Sequence, residues 1–325
     1  MTHPAEAHSD SRLAHFPITF FAVTMGLGGL TLALRAAAPM LGQVPWRLML
    51  AVDAAVFVAI LSTYTAKAMR HAVHVAGEWA HPVRMAFFPT ISVSILLLAS
   101  AVLPLSKPLA ELLWWIGTLL QGGLTLAVVA GWIGHRSFQH GVLSPAWFIP
   151  AVGNVIVPVA GAPLGHIEIA WLFFSAGLMF WLILLTLVFN RLVFHDPLPA
   201  RLQPTLVILI APPAVAFIAW MRLRGGAEGV DPFGHILLSM AYVFAGVVAT
   251  QLPRILRLPF AMSFWALSFP LAALTIATLL YAEVTGSGFH HGLGLGLLAL
   301  LVVVIGALIV RTLRAMAAGQ ICVPE

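Results

Sequence analysis

Charge is scarce in this chain: 8% of its 325 residues are Asp, Glu, Lys or Arg, against about a quarter in an ordinary soluble domain. Such a chain cannot make a water-facing surface, and it has no room for a separate soluble domain. Cysteine is almost absent too. Cys322, the single one, lies in the last few residues, which excludes a disulfide framework and a cysteine-based metal site. The first fifteen residues, MTHPAEAHSDSRLAH, lack the basic, apolar and small-residue pattern of a cleaved leader, and read as a cytoplasmic tail. The formal charge of +5 is scattered in ones and twos between apolar runs, so no basic patch for nucleic acid forms.

What is abundant is apolar length. Hydrophobic residues make up 61% of the chain, in runs of about 20, enough to cross a hydrocarbon core of roughly 30 Å. Breaks rich in Pro, Gly and charge place spans at 16–38, 48–68, 85–106, 110–134, 145–164, 167–190, 204–222, 233–252, 261–283 and 291–313. With the N-terminus inside, the cytoplasmic side receives Arg12, Lys67, Arg70, Arg84, Arg136, Arg191, Arg201, Arg254, Arg257, Arg311 and Arg314. The other side keeps Arg35, Arg47, Lys107, Arg222 and Arg224. This is the asymmetry of the positive-inside rule, and removing one middle helix would scatter it. Ten spans with both termini cytoplasmic therefore satisfy length and charge together. Short loops make consecutive spans antiparallel hairpins, with the longest connection at 69–84, MRHAVHVAGEWAHPVR.

A repeat of about sixty residues runs through the spans. The odd ones carry HFPITFF, AFFPTIS, WFIPAVG, LIAPPAV and SFPLAAL, whose prolines stand at 17, 89, 150, 212 and 270, while the even ones carry proline only at their margins. An interior proline removes a backbone hydrogen bond and clashes with the carbonyl four residues back. In lipid the freed carbonyl needs protein or water, so Pro89, Pro150, Pro212 and Pro270 predict kinked helices on the inside of the bundle. Pro17 lies where proline is tolerated at a helix start. The expectation is an inner ring of five odd helices around an axis, with five even helices outside.

The inner spans hold no Lys, Arg, Asp or Glu between their ends, so a buried proton relay or ion-pair site has no carrier there. Asp53, Glu111 and Glu168 belong to even spans and read as interfacial or cap residues. The histidines sit in tails, loops and helix ends; His71 with His74, and His290 with His291, lack further ligands nearby. No metal, cofactor or enzyme chemistry is expected. An uncharged pore gates by a narrow apolar constriction, and Phe269, beside Pro270, is the best-placed ring for one; the alternative is a packing aromatic. Thr90, Ser92, Ser94, Asn154, Thr275 and Thr278 either touch a permeating solute or hydrogen-bond between helices.

The segments HFPITFFAVTMGLGGL, HPVRMAFFPTISVSILLLA and WALSFPLAALTIATLLYA resemble, in order and over residues 16 to about 314, the tellurite-resistance/dicarboxylate transporter family of TehA-like and plant slow anion channels. The resemblance implies an all-α integral membrane protein of ten transmembrane helices, five hairpins in quasi-five-fold array, forming residues 16–314 between tails 1–15 and 315–325. It implies a passive anion channel of the bacterial inner membrane, assembled as a homotrimer, with small anions as permeants. The alternative is a secondary carrier or exporter of C4-dicarboxylate, sulfite or tellurite-type oxyanions. It implies a gating phenylalanine at Phe269 and a second pore-lining aromatic at Phe88, with Phe16 and Phe20 as weaker counterparts.

Overall fold

The computed structural model describes residues 12–134, 143–225 and 229–323; Arg136 and the tail residues 1–11 and 324–325 lie outside the described residues. The α-helices in chain order are α1 (Phe21–Ala36), α2 (Ala38–Leu41), α3 (Val44–Arg70), α4 (Ala72–Ala80), α5 (Thr90–Val102) and α6 (Lys107–Gly134). They continue with α7 (Phe148–Leu164), α8 (Ile167–Phe194), α9 (Ala211–Leu223), α10 (Pro232–Ile255), α11 (Ser268–Thr285) and α12 (Gly288–Ala317). Among the described residues, ten helical segments are long and apolar enough to cross a membrane, and each coincides with an expected span. The chain is a multi-pass membrane protein. Its last helix runs to Ala317, past the expected boundary at 314.

The odd spans form a closed ring: α1 packs on α5, α5 on α7, α7 on α9, α9 on α11, and α11 back on α1. Each even helix lies outside its hairpin partner and against the next inner helix, as α6 does between α5 and α7. Burial follows the two layers. In the odd spans 78–89% of the apolar stretch is buried, in the even ones 28–33%. Even helices accordingly expose Leu48, Val52, Leu119, Leu126, Leu182 and Val303, the surface that a hydrocarbon solvent accepts without cost.

Pro89, Pro150, Pro212 and Pro270 act at the start of their inner α-helices and not in the middle. Every odd span begins as a 3₁₀ segment: Ile18–Phe20, Arg84–Phe87, Pro145–Trp147, Ala200–Ile210 or Met262–Leu267. Pro89 caps α5, Pro212 opens α9, and Pro150 and Pro270 are the third residues of α7 and α11. Lacking an N–H and clashing with the carbonyl four residues back, each proline stops the α ladder from extending toward the N-terminus, and the tighter i→i+3 pattern carries the chain below it. The expected mid-helix kinks are thus 3₁₀-to-α junctions. Prolines inside an inner helix occur in α7, at Pro158 and Pro163.

The connection at 69–84 is not an open loop. It folds into α4, whose Glu78 is buried and paired with Lys67 at 2.8 Å. Glu78 also accepts the Tyr64 hydroxyl at 2.8 Å and the Ile18 N–H at 3.1 Å, and Lys67 donates to the Phe16 carbonyl at 2.8 Å. One carboxylate therefore fastens the entry of α1 to α3 and α4. Asp53 is likewise not interfacial: it is 1% exposed, nine residues into α3, and faces Gly28 of α1.

Candidate functional site: the axis of the inner ring

Two cavities lie along the ring axis, and each takes lining residues from all five odd spans. The proximal one, at the end where the odd spans begin, holds about 40 Å³, little more than room for single waters. The distal one, where they end, holds about 340 Å³. Because the same spans contribute their first halves to one cavity and their second halves to the other, all five run in the same direction.

Each inner helix presents one stripe to the axis. On α11 it is Phe269, Ala273, Ile276, Leu280 and Glu283; on the span of α9 it is Ile208, Ala211, Val215, Ile218 and Arg222. The steps of three and four are the helical period. Phe269 and Ile156 line both cavities, so the two spaces meet at their side chains. Phe269 is 6% exposed.

Local packing sets the Phe269 ring in place. Trp265, in the preceding 3₁₀ segment, is buried and donates its indole N–H to the Thr312 hydroxyl of α12 at 2.9 Å. Ser268 donates to the Trp265 carbonyl at 2.6 Å, which closes the turn immediately before Phe269. On the other side α1 comes unusually close. A Cβ at Gly29 would stand 2.8 Å from the Ala272 Cβ and 3.4 Å from Cδ2 of Phe269, and one at Gly26 would stand 2.3 Å from the Ser268 Oγ. Gly26 and Gly29 of MGLGGL let α1 sit flush against α11, with Phe269 projecting beside it.

The other expected site residues distribute differently. Thr90 lines the proximal cavity, with its hydroxyl donated back to the Phe87 carbonyl. Phe88 is not among the lining residues. Its ring packs against Trp79 of α4 at 4.9 Å and Tyr64 of α3 at 6.4 Å, because the register of the 3₁₀ segment turns its neighbour Phe87 toward the cavity instead. Asn154 faces outward, donating to Thr125 at 3.1 Å and to the Pro150 carbonyl at 2.8 Å. Gln121 of α6 meets the same carbonyl at 2.9 Å, so this polar group joins α6 to α7. Phe16 and Phe20 stack on each other with centroids 4.4 Å apart and line neither cavity. Ser92 and Ser94 also bond between helices, to Gln121 at 2.6 Å and Thr24 at 2.7 Å.

The stripes bring in residues that motif reading missed. Met25, Val93, Val152 and Ile156 line the axis beside Phe269, and Arg35, Arg222 and Glu283 close the distal ends of three stripes. Stepping by 3.6 residues from the residue before Pro150, Pro212 and Pro270 is the signal that finds Val152, Ile156, Arg222 and Glu283.

Comparison with known proteins agrees with this architecture. Residues 15–313 match the sequence model of the SLAC1 family, described as voltage-dependent anion channels. The S-type anion channel SLAH3 of Arabidopsis thaliana is 28% identical over 81% of this chain, which spans 41% of that protein's length. The tellurite resistance protein TehA homolog of Haemophilus influenzae is 27% identical over 94% of this chain and 92% of its own length. An uncharacterized transporter of Methanocaldococcus jannaschii is 24% identical over 96% of this chain and 98% of its own. A ten-span bundle with a proline-punctuated inner ring, matched over nearly its whole length, belongs to the SLAC1 family of anion channels and transporters.

Proposed function

We propose that the protein is a passive anion channel whose path is the ring axis, occluded at rest by Phe269, with Ile156 as its partner in the constriction. The observation that carries the reading is the meeting of two axial cavities at these two side chains, with no lining residue, among the described ones, from any of the five outer spans. An apolar constriction this narrow dewets and blocks ions, and moving one ring aside restores a wet path. The parallel odd spans add a sign. Their positive dipole ends surround the proximal mouth, and among the described residues no acidic side chain lines the cavity there. Parallel repeats favour a channel over an alternating-access carrier built on inverted halves.

In this reading small anions are the permeants, both termini are cytoplasmic in a bacterial inner membrane, and the chain assembles as a homotrimer with one path per protomer. Purified protein in planar bilayers under a tenfold chloride gradient tests it. The Phe269→Ala variant is expected to carry current reversing near the chloride equilibrium potential. Reversal near the cation potential, or chloride flux that saturates only with a co-transported ion, overturns it.

A further inference from the structure

The distal vestibule has chemistry that an uncharged pore does not need. Its wall is apolar from Leu32, Leu97, Val159, Val215 and Ile276, yet three charged side chains line it: Arg35, Arg222 and Glu283. All three fall on axis-facing stripes. Arg35 lies about three turns beyond Met25 on α1, Arg222 ends the stripe of α9, and Glu283 ends that of α11, about 21 Å along the helix from Phe269.

Helix-end compensation accounts for part of this. Five inner helices end at this mouth, and their carbonyl ends make it hostile to anions. Arg35 donates Nη1 to the Ser100 carbonyl in the last turns of α5 at 2.6 Å, which caps that end directly. Arg222, in the last turn of α9, offsets that end through its charge alone and leaves its donors unused. That guanidinium makes no side-chain hydrogen bond or ion pair among the described residues, and it stands within Coulombic reach of Arg35. Two like charges turned into one cavity repel, and placing an anion between them relieves the repulsion. Both cations are guanidiniums, whose planar forks match the paired oxygens of an oxyanion better than a sphere.

We propose that Arg35 and Arg222 form an anion-capture site in the distal vestibule that holds oxyanions in preference to halides, with Glu283 limiting its affinity. It rests on the anion-conducting reading of the axis and adds to it a residence point outside the constriction. Arg222 supplies its free donors and Arg35 those left over from Ser100. Glu283, on α11 between α9 and α1 in the ring, keeps the site weak enough to release what it holds.

The test reads binding, not current. Purified protein in detergent is unfolded thermally across a sulfate titration and, at matched ionic strength, a chloride titration. Sulfate is expected to raise the unfolding temperature with a midpoint well below that of chloride. Arg222→Gln should weaken the sulfate midpoint at least about tenfold, the loss of one charge-assisted contact. Glu283→Gln should tighten it several-fold. Arg222→Lys keeps the charge without the fork and guards against a folding defect in the glutamine variant; sulfate binding in it equal to wild type would leave a plain positive patch and overturn the oxyanion claim. Equal midpoints for sulfate and chloride in the wild type, or an unchanged sulfate midpoint in Arg222→Gln, would also overturn it. Sulfate binding as expected with no anion current would sink the channel reading alone, and anion current without sulfate binding would sink this site alone.

Discussion

Removing Glu78 should unfasten the proximal mouth. In the wild type this carboxylate holds the Lys67 ammonium at 2.8 Å, and the two side chains are 4% and 2% exposed. It also accepts from Tyr64 and from the Ile18 N–H. In Glu78→Ala the ammonium keeps the Phe16 carbonyl and the face of the Tyr64 ring but stays buried without a counter-charge, a loss of roughly 3–5 kcal/mol for breaking one side of a buried pair. The stranded Ile18 N–H and Tyr64 hydroxyl act in the same direction, though the contributions overlap and do not simply add. At about 2 °C per kcal/mol for a chain of this size, the unfolding temperature in detergent should fall by roughly 6–10 °C. The double variant Lys67→Met with Glu78→Leu should recover most of that, since removing both charges leaves no orphan. A fall of less than about 1 °C in Glu78→Ala, or a double variant as unstable as the single, would refute the reasoning.

Three further outcomes follow from the packing and the charges. Gly29→Val must push α1 off Ala272, where even a Cβ would sit at 2.8 Å, and should cost about 1–3 kcal/mol in the same unfolding assay; a neutral variant would mean that α1 and α11 do not sit flush. At Asp231 desolvation pushes the carboxyl up, but it is outweighed by the Gly234 N–H, the Trp220 indole and Arg224, and the group sits below the ordinary carboxylate range. Its stabilisation is therefore present above the unfolded carboxylate pKa and is lost as pH falls through the lower folded value. Asp231→Asn should flatten the stability profile on the acid side of the ordinary carboxylate pKa, and an unchanged profile would contradict that. Burial raises the Cys322 thiol above its ordinary value despite Arg12 and Lys67 nearby, so maleimide labelling at pH 7 should run slower than for an exposed thiol, and labelling at the free-thiol rate would refute it.

The sequence was most informative where one physical constraint acts alone. Apolar length and charge asymmetry located every span, because lipid admits little else. The proline alternation separated inner from outer helices for the same reason: a freed carbonyl cannot face hydrocarbon. It misled on position. A proline's effect runs backward along the chain, so Pro270 shapes Met262–Leu267 below it, not the middle of α11. Side-chain direction was harder to read. Phe87 and Phe88 are adjacent aromatics, and only the register of Arg84–Phe87 decides which one meets the cavity. Asn154 carries a polar group on an inner helix, yet its partner is Thr125 on α6, a contact between segments twenty-nine residues apart. Lys67 looked like one more cytoplasmic charge, and its partner Glu78 lay in what read as a loop; burial of a pair is a tertiary fact that charge counting cannot see.

The central claim is that Phe269 closes the axis, and its side chain can be graded in size without touching the backbone that holds it. Bilayer recordings of Phe269→Ala, Phe269→Leu and Phe269→Trp beside wild type, with matched protein per vesicle, test it most directly. Chloride conductance should be largest in the alanine variant, intermediate in leucine and lowest in wild type and tryptophan. Conductance independent of the residue at 269, with all four proteins folded, would contradict it.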